Sequence, residues 1–137
     1  MFRIMKGFTL IEFLIVVLII AIITGVVFSV AANSSNNKNQ DKKQKMTVAT
    51  VQQGLEQYFL DNNATYPAAT DAATMKNILV DAKLLSNTVD VTSLTYKHTT
   101  APEGYTLSFI LKNQGDSGEN ISGTAPNKTY SVVAQQQ

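Results

Sequence analysis

Residues 1–32 read MFRIMKGFTLIEFLIVVLIIAIITGVVFSVAA and divide into a short basic start and a long apolar run. From Phe8 to Ala32 there are 25 residues, and Glu12 is the single charged side chain among them. A helix rises about 1.5 Å per residue, so this run is long enough to cross a bilayer core of about 30 Å. The sequence therefore predicts a membrane-spanning helix over residues 8–32 that carries the rest of the chain.

Glu12 distinguishes this run from a simple anchor. A carboxylate within an apolar span costs about 2.5–3.5 kcal/mol on insertion scales, so it normally has a partner. Arg3 and Lys6 precede a Gly7–Phe8 step, and Glu12 follows Phe8 by four residues. Hydrolysis of the peptide bond between Gly7 and Phe8 would leave an α-amino group on the same helix face as Glu12. That amino group is the positive partner that the apolar run lacks.

The segment GFTLIE at residues 7–12, with a basic leader before it and an apolar run behind it, resembles the processing site of bacterial type IV prepilins and pseudopilins. The resemblance implies cleavage after Gly7 by prepilin peptidase, N-methylation of Phe8 and an assembly role for Glu12. It also implies a helical homopolymer built at an inner-membrane assembly platform, with membrane lipid around the helix before assembly. The precursor is then a single-pass cytoplasmic-membrane protein with its N-terminus inside, and the assembled subunit lies in an extracellular filament.

Several alternatives stay open beside this interpretation. A type IV pilin, with surface functions such as adhesion, twitching motility or DNA uptake, shares the motif with a pseudopilin of a type II secretion or competence machine. A secreted soluble binding protein is a third hypothesis, because Ser29-Val30-Ala31 has the small residues of a signal-peptide cut site. A plain anchor with a chance glutamate is a fourth. A buried helix of a soluble core is disfavoured, since the run has no 3.6-residue stripe.

Composition divides the chain into four predicted segments: a cleaved leader at 1–7, a transmembrane or filament-core helix at 8–32, an amphipathic continuation at 33–62 and a globular head at 63–137. The polar run at residues 33–45 reads alone as a linker. Apolar residues then recur at helical spacing and favour a continued helix: Val48, Val51, Leu55, Tyr58 and Phe59. Asp61-Asn62-Asn63 and Tyr66-Pro67 are typical of its end.

The head is predicted to contain one short helix and a small sheet. The helix falls between residues 68 and 90, with Thr70 or Asp71 as its cap and an apolar stripe at Met75, Ile78, Leu79, Ala82 and Leu85. Strands are predicted at 91–100, 104–112 and 129–134, with Tyr105, Leu107, Phe109 and Leu111 on one face of the second. Residues 113–127 are predicted to be irregular and exposed. The fold class is α+β: a long N-terminal helix packed on an antiparallel sheet of about three strands, pilin-like.

The remaining composition predicts a structural protein and not an enzyme. The chain has no cysteine, no phosphate-cradling loop and no catalytic set of side chains, and its one histidine, His98, is predicted at a surface or edge position. Asp116 and Glu119 are oxygen donors of the kind that calcium takes, but their spacing matches no ligand pattern, so no metal or cofactor is predicted. Removal of Arg3 and Lys6 leaves nine basic residues against ten acidic ones. No global basic field for nucleic acid results, and that partner stays open.

Overall fold

The computed structural model describes the backbone of residues 10–135 and the side chains of residues 14–18 and 35–134. The elements in chain order are α1 (Leu10–Asp61), α2 (Ala72–Asp81), β1 (Thr95–Thr100), β2 (Glu103–Ile110), β3 (Ile121–Ser122) and β4 (Thr129–Gln135). Two compact units divide the chain, residues 1–36 and residues 37–137. The second unit, called the head unit below, contains residues 37–61 of α1 with all the other elements, and its fold is α+β as predicted.

The predicted span at residues 8–32 lies mostly outside the described part of the chain. The structure omits the backbone of residues 8 and 9 and the side chains of 10–13 and 19–32. Within the described residues, no helix combines the length and the apolar character needed to cross a membrane. The membrane span and the four-segment division therefore stay predictions.

Residues 33–45, which read alone as a linker, are helical. The apolar stripe that follows them is confirmed: Val48, Val51 and Leu55 are completely buried, and Tyr58 and Phe59 are packed against the same core. The helix ends at Asp61, and the next turn contains Asn63 and Ala64 at φ 54° and 58°. These left-handed conformations end the helix and turn the chain toward Tyr66.

The short helix α2 begins at the predicted cap. Asp71 Oδ1 accepts a hydrogen bond from the Thr74 backbone N–H at 2.8 Å, and this bond lowers the pKa of the Asp71 carboxyl. Met75 and Leu79 are fully buried. The chain after α2 approaches α1 closely at Gly54, where a Cβ would lie 3.2 Å from the Leu84 carbonyl oxygen. Glycine at this position therefore sets the distance between α1 and the end of α2.

The sheet is antiparallel throughout, with strand order β1-β2-β4-β3. Its inward face carries the predicted side chains: Tyr105, Leu107, Phe109 and Leu111 are all buried in the core that also contains Val48, Val51 and Leu55. The predicted strand at 91–100 is too long, since β1 begins only at Thr95. Val91 and Leu94 are buried in the preceding turns, so their apolar character reflects core packing and not a strand.

The prediction of about three strands is wrong by one. The short strand β3 lies within residues 113–127, which were predicted to be irregular, and pairs Ile121 with Tyr130 and Ser122 with Thr129. Gly123 follows at φ 89°, a conformation that favours glycine. A strand of two residues shows no alternation, so its sequence carries no periodic signal.

Candidate functional site

The residues predicted to direct processing lie at the edge of the described structure. Gly7 and Phe8 fall outside the described residues. Glu12 belongs to α1, and the structure describes its backbone but not its side chain. Cleavage after Gly7, methylation of Phe8 and the assembly role of Glu12 therefore stay predictions.

The part of α1 that directly follows Glu12 is apolar and uncovered. Five consecutive side chains are exposed at 42–57%, namely Leu14, Ile15, Val16, Val17 and Leu18. Consecutive residues are about 100° apart around a helix, so these five cover its whole circumference. A helix that is apolar on every side is normally buried in lipid or in a larger assembly. In the single chain this segment is covered by neither.

Asp41 joins α1 to the chain that leaves β2. Its Oδ1 accepts a hydrogen bond from the Lys112 backbone N–H at 2.8 Å, and its Oδ2 accepts one from the Asn113 backbone N–H at 2.7 Å. Asp41 is only 3% exposed and is the one buried charged residue in the described part of the chain. Two charge-assisted bonds to the backbone offset the cost of burying this carboxylate.

Lys45, one helical turn farther on, holds the loop after β2. Its Nζ lies 2.7 Å from Asp116 Oδ2 and 5.4 Å from the centre of the Tyr130 ring. Lys128 Nζ donates to the Asp116 carbonyl oxygen at 2.8 Å. The hydrogen bond from Lys45 holds the pKa of the Asp116 carboxyl below its ordinary value. The loop is thus fixed to α1 by one buried carboxylate and one half-exposed ion pair.

The two acidic residues considered for calcium have different surroundings. The Asp116 carboxylate is paired with the ammonium group of Lys45, so it already has a cationic partner. Glu119 is exposed. In the stretch that the structure describes, no group of three or more His, Cys, Asp or Glu side chains is placed to hold a metal ion.

His98 lies in β1, as predicted, but it is half-buried and has a partner. Its Nε2 lies 2.9 Å from Glu103 Oε1, and the same oxygen accepts a hydrogen bond from the Tyr66 backbone N–H at 2.7 Å. An ionised carboxylate only accepts hydrogen bonds, so Nε2 carries the proton. The bond from His98 lowers the pKa of Glu103. His98 therefore helps to fix the loop after α1 to the β1–β2 turn.

Tyrosine rings fill the core beside this turn. Tyr66 lies edge-on to Tyr105 with ring centres 4.8 Å apart, and both hydroxyls donate to the Glu56 carboxylate on α1 at 3.1–3.2 Å. Burial, and then the Glu56 charge, raises the pKa of Tyr105 well above its ordinary value. Burial, and then the Glu103 charge, does the same to the pKa of Tyr96. These groups stabilise the head unit and form no nucleophile–base pair.

A cleft of about 210 Å³ lies between α1 and the end of β2, and we call it the α1–β2 cleft. Its lining includes Lys43 and Gln44 from α1, Ser93 from the turn before β1, Ile110 at the end of β2 and Lys112 just after it. Gln44 Oε1 is buried and has no hydrogen-bond partner.

Comparison with known proteins bears on the N-terminal stretch. The family model for the prokaryotic N-terminal methylation motif matches residues 3–28, which include Gly7, Phe8 and Glu12. The chain carries the signature of type IV pilin and pseudopilin precursors. Such precursors are envelope-associated substrates of prepilin peptidase. Comparison of this chain with curated proteins and with solved structures gives no significant match.

Sequence patterns did not predict the Asp41 and Lys45 contacts of the head unit. Both residues lie in a polar run that reads as a solvated helix face, and their partners are more than seventy residues away in the chain. One signal was present, since Asp41 is the only acidic residue between Asn33 and Lys45. A single acidic residue is unusual in this polar, lysine-rich run, but the sequence does not indicate which groups its carboxylate contacts.

Proposed function

We propose that this chain is a structural subunit of a type IV pilus, cut after Gly7, methylated at Phe8 and polymerised through the helix that follows. The match of the N-terminal methylation motif to residues 3–28 carries the proposal. The subunit has no catalytic role in it. The chain is inserted in the cytoplasmic membrane before assembly and lies in an extracellular filament afterwards.

The exposed apolar segment Leu14 to Leu18 supports this mechanism. Lipid covers it before assembly, and the same segments of neighbouring subunits cover it in the filament. Transfer from lipid to a helical bundle brings little hydrophobic gain, so packing and charge pairing must select the partner. In our proposal the Glu12 carboxylate pairs with the Phe8 amino group of a neighbouring subunit, where a low dielectric strengthens the attraction.

Replacement of Glu12 tests this mechanism. We expect Glu12→Ala to leave the amount of membrane-inserted precursor unchanged and to reduce its incorporation into filaments at least tenfold. Leu14→Ala, two residues away in the same apolar run, is the matched control and should assemble. Normal filament yield from the Glu12 variant would contradict the proposal.

A pseudopilin of a type II secretion or competence machine is the second candidate, since the matched motif is common to both. Electron microscopy of cells that express the chain with its own assembly machinery separates the two. Long surface fibres built from this subunit support the pilus, and a short assembly confined to the envelope supports the pseudopilus.

A further inference from the structure

The charges around the α1–β2 cleft favour an anionic occupant. Lys43 and Lys112 are exposed, and neither has an ion-pair partner among the described residues. Asp41 also lines the cleft, but both of its carboxylate oxygens accept backbone N–H groups. Two lysines therefore stand against one engaged carboxylate, and the opening of the cleft is positive. An occupant that fits the cleft therefore brings a carboxylate to Lys43 and Lys112.

The exposed face of α2 carries such a carboxylate, Asp81. Its side chain has no hydrogen-bond or ion-pair partner among the described residues. Asp81 is the last residue of α2, where the helix dipole disfavours a negative charge. A cationic side chain from another molecule would stabilise the Asp81 carboxylate at this helix end.

Most other acidic residues of the head are already engaged. Asp71 caps α2, Asp90 accepts hydrogen bonds from Thr92, and Asp116 pairs with Lys45. Glu119 is exposed like Asp81, but it lies in the loop that Lys45 holds against its own α1. Glu119 therefore serves as a control for Asp81.

We infer that the α1–β2 cleft receives the α2 face of a second copy of this chain, with Asp81 bound by Lys43 and Lys112. The inference rests on the proposed polymer and names one of its contacts. The two surfaces differ, so the contact is heterologous, and repetition of such a contact gives an open polymer and not a closed dimer.

The spacing of the two surfaces along α1 suits parallel, staggered subunits. Gly54 lies beside Leu79 and Leu84, so the end of α2 is level with Gly54. Lys43 is eleven residues earlier in the same helix, which corresponds to about 16 Å at 1.5 Å per residue. A neighbour displaced by about that distance along α1 brings its Asp81 to the level of the cleft.

Charge reversal in the full chain tests the contact. With equal amounts of membrane-inserted precursor, we expect Lys43→Glu and Asp81→Lys each to lower filament yield about tenfold, and the double variant to restore it. Glu119→Lys and Lys97→Glu make the same charge changes elsewhere and should assemble normally. Single variants with wild-type yield, or a double variant that stays defective, would overturn the inference while the proposed function stands. A wild-type chain that forms no filaments would remove both.

Cross-linking gives a second readout that does not depend on yield. The chain has no cysteine, so Lys43→Cys with Asp81→Cys introduces the only thiols. A bismaleimide with a reach of about 10 Å should link subunits of assembled filaments into ladders, since the two Cα atoms of such an ion pair lie within that reach. Lys97→Cys with Asp81→Cys should give none. Equal ladders from both pairs, or none from the first, would contradict the contact.

Discussion

The Asp41 carboxylate accepts a hydrogen bond from the Lys112 backbone N–H at 2.8 Å, across 71 residues of sequence. The bond joins the part of α1 that lies in the head unit to the chain just after β2, and Asn113 adds a second bond to the same carboxylate. Asp41 on α1 thereby fixes the beginning of the loop that follows β2.

Removal of this carboxylate should destabilise the head. We expect Asp41→Ala to lower the free energy of unfolding by about 2–3 kcal/mol, because two backbone N–H groups lose a charged acceptor. Asp41→Asn keeps one acceptor and should cost less. Urea unfolding of the full chain in detergent, followed by the near-ultraviolet circular dichroism of the tyrosines, measures the change. Lys42→Ala, an exposed neighbour, is the control, and an unchanged Asp41→Ala variant would refute the role.

The Lys45–Asp116 pair should act on the loop more than on global stability. Both side chains are about one-third exposed, so the pair contributes at most about 1 kcal/mol. We expect Asp116→Asn to speed hydrogen exchange in residues 113–127 while Glu119→Gln leaves it unchanged. Because the pKa of Asp116 is lowered in the folded state, its contribution is present above the ordinary carboxyl pKa and is lost as the pH falls through the lowered value. Equal acid sensitivity in Asp116→Asn and wild type would argue against this pair.

Glu103 should hold the loop after α1 in a pH-dependent way. It accepts from both Tyr66 N–H and His98, and its pKa is lowered. The bond to Tyr66 is therefore strongest while the carboxylate is ionised and weakens as acid protonates it below the ordinary pKa of glutamate. We expect a lower protection factor for the Tyr66 amide, relative to the intrinsic exchange rate at the same pH, in Glu103→Gln at neutral pH and in wild type at acid pH. Protection that is the same at both pH values would contradict the expectation.

Two tyrosines should resist ionisation until the head unfolds. Burial raises the pKa of Tyr96 and Tyr105 well above the ordinary value. In an alkaline titration followed by phenolate absorbance, their signals should appear together with the loss of tertiary structure. Tyr96→Phe and Tyr105→Phe identify the two contributions, since each should remove part of that late step. Late steps that keep their full amplitude in both variants would show that other tyrosines are responsible.

Sequence patterns predicted the parts of the fold that depend on repeated apolar contacts. The stripe Val48, Val51 and Leu55 and the alternation from Tyr105 to Leu111 each bury several side chains at a fixed period, and both were confirmed. The Asp71 cap was predicted because its partner lies three residues away. Such signals are local or periodic, so the sequence alone displays them.

Contacts between distant single residues could not be predicted in this way. The bonds from Asp41, Lys45 and Glu103 each join one side chain to a partner that only the folded chain brings near. The two-residue strand β3 depends on pairing with β4 and has no pattern of its own. The predicted residues Gly7, Phe8 and Glu12 rest on a motif, and the family comparison bears on that motif without testing each residue.

The mature N-terminus tests the central claim most directly. Intact-mass and peptide mass spectrometry should be applied to the chain isolated from cells that contain prepilin peptidase, with peptidase-deficient cells as the control. We predict a chain that begins at Phe8 and carries one N-methyl group, and an uncut chain from the control cells. A chain that begins at Ala32, or one that retains residues 1–7 in the presence of the peptidase, would contradict the account.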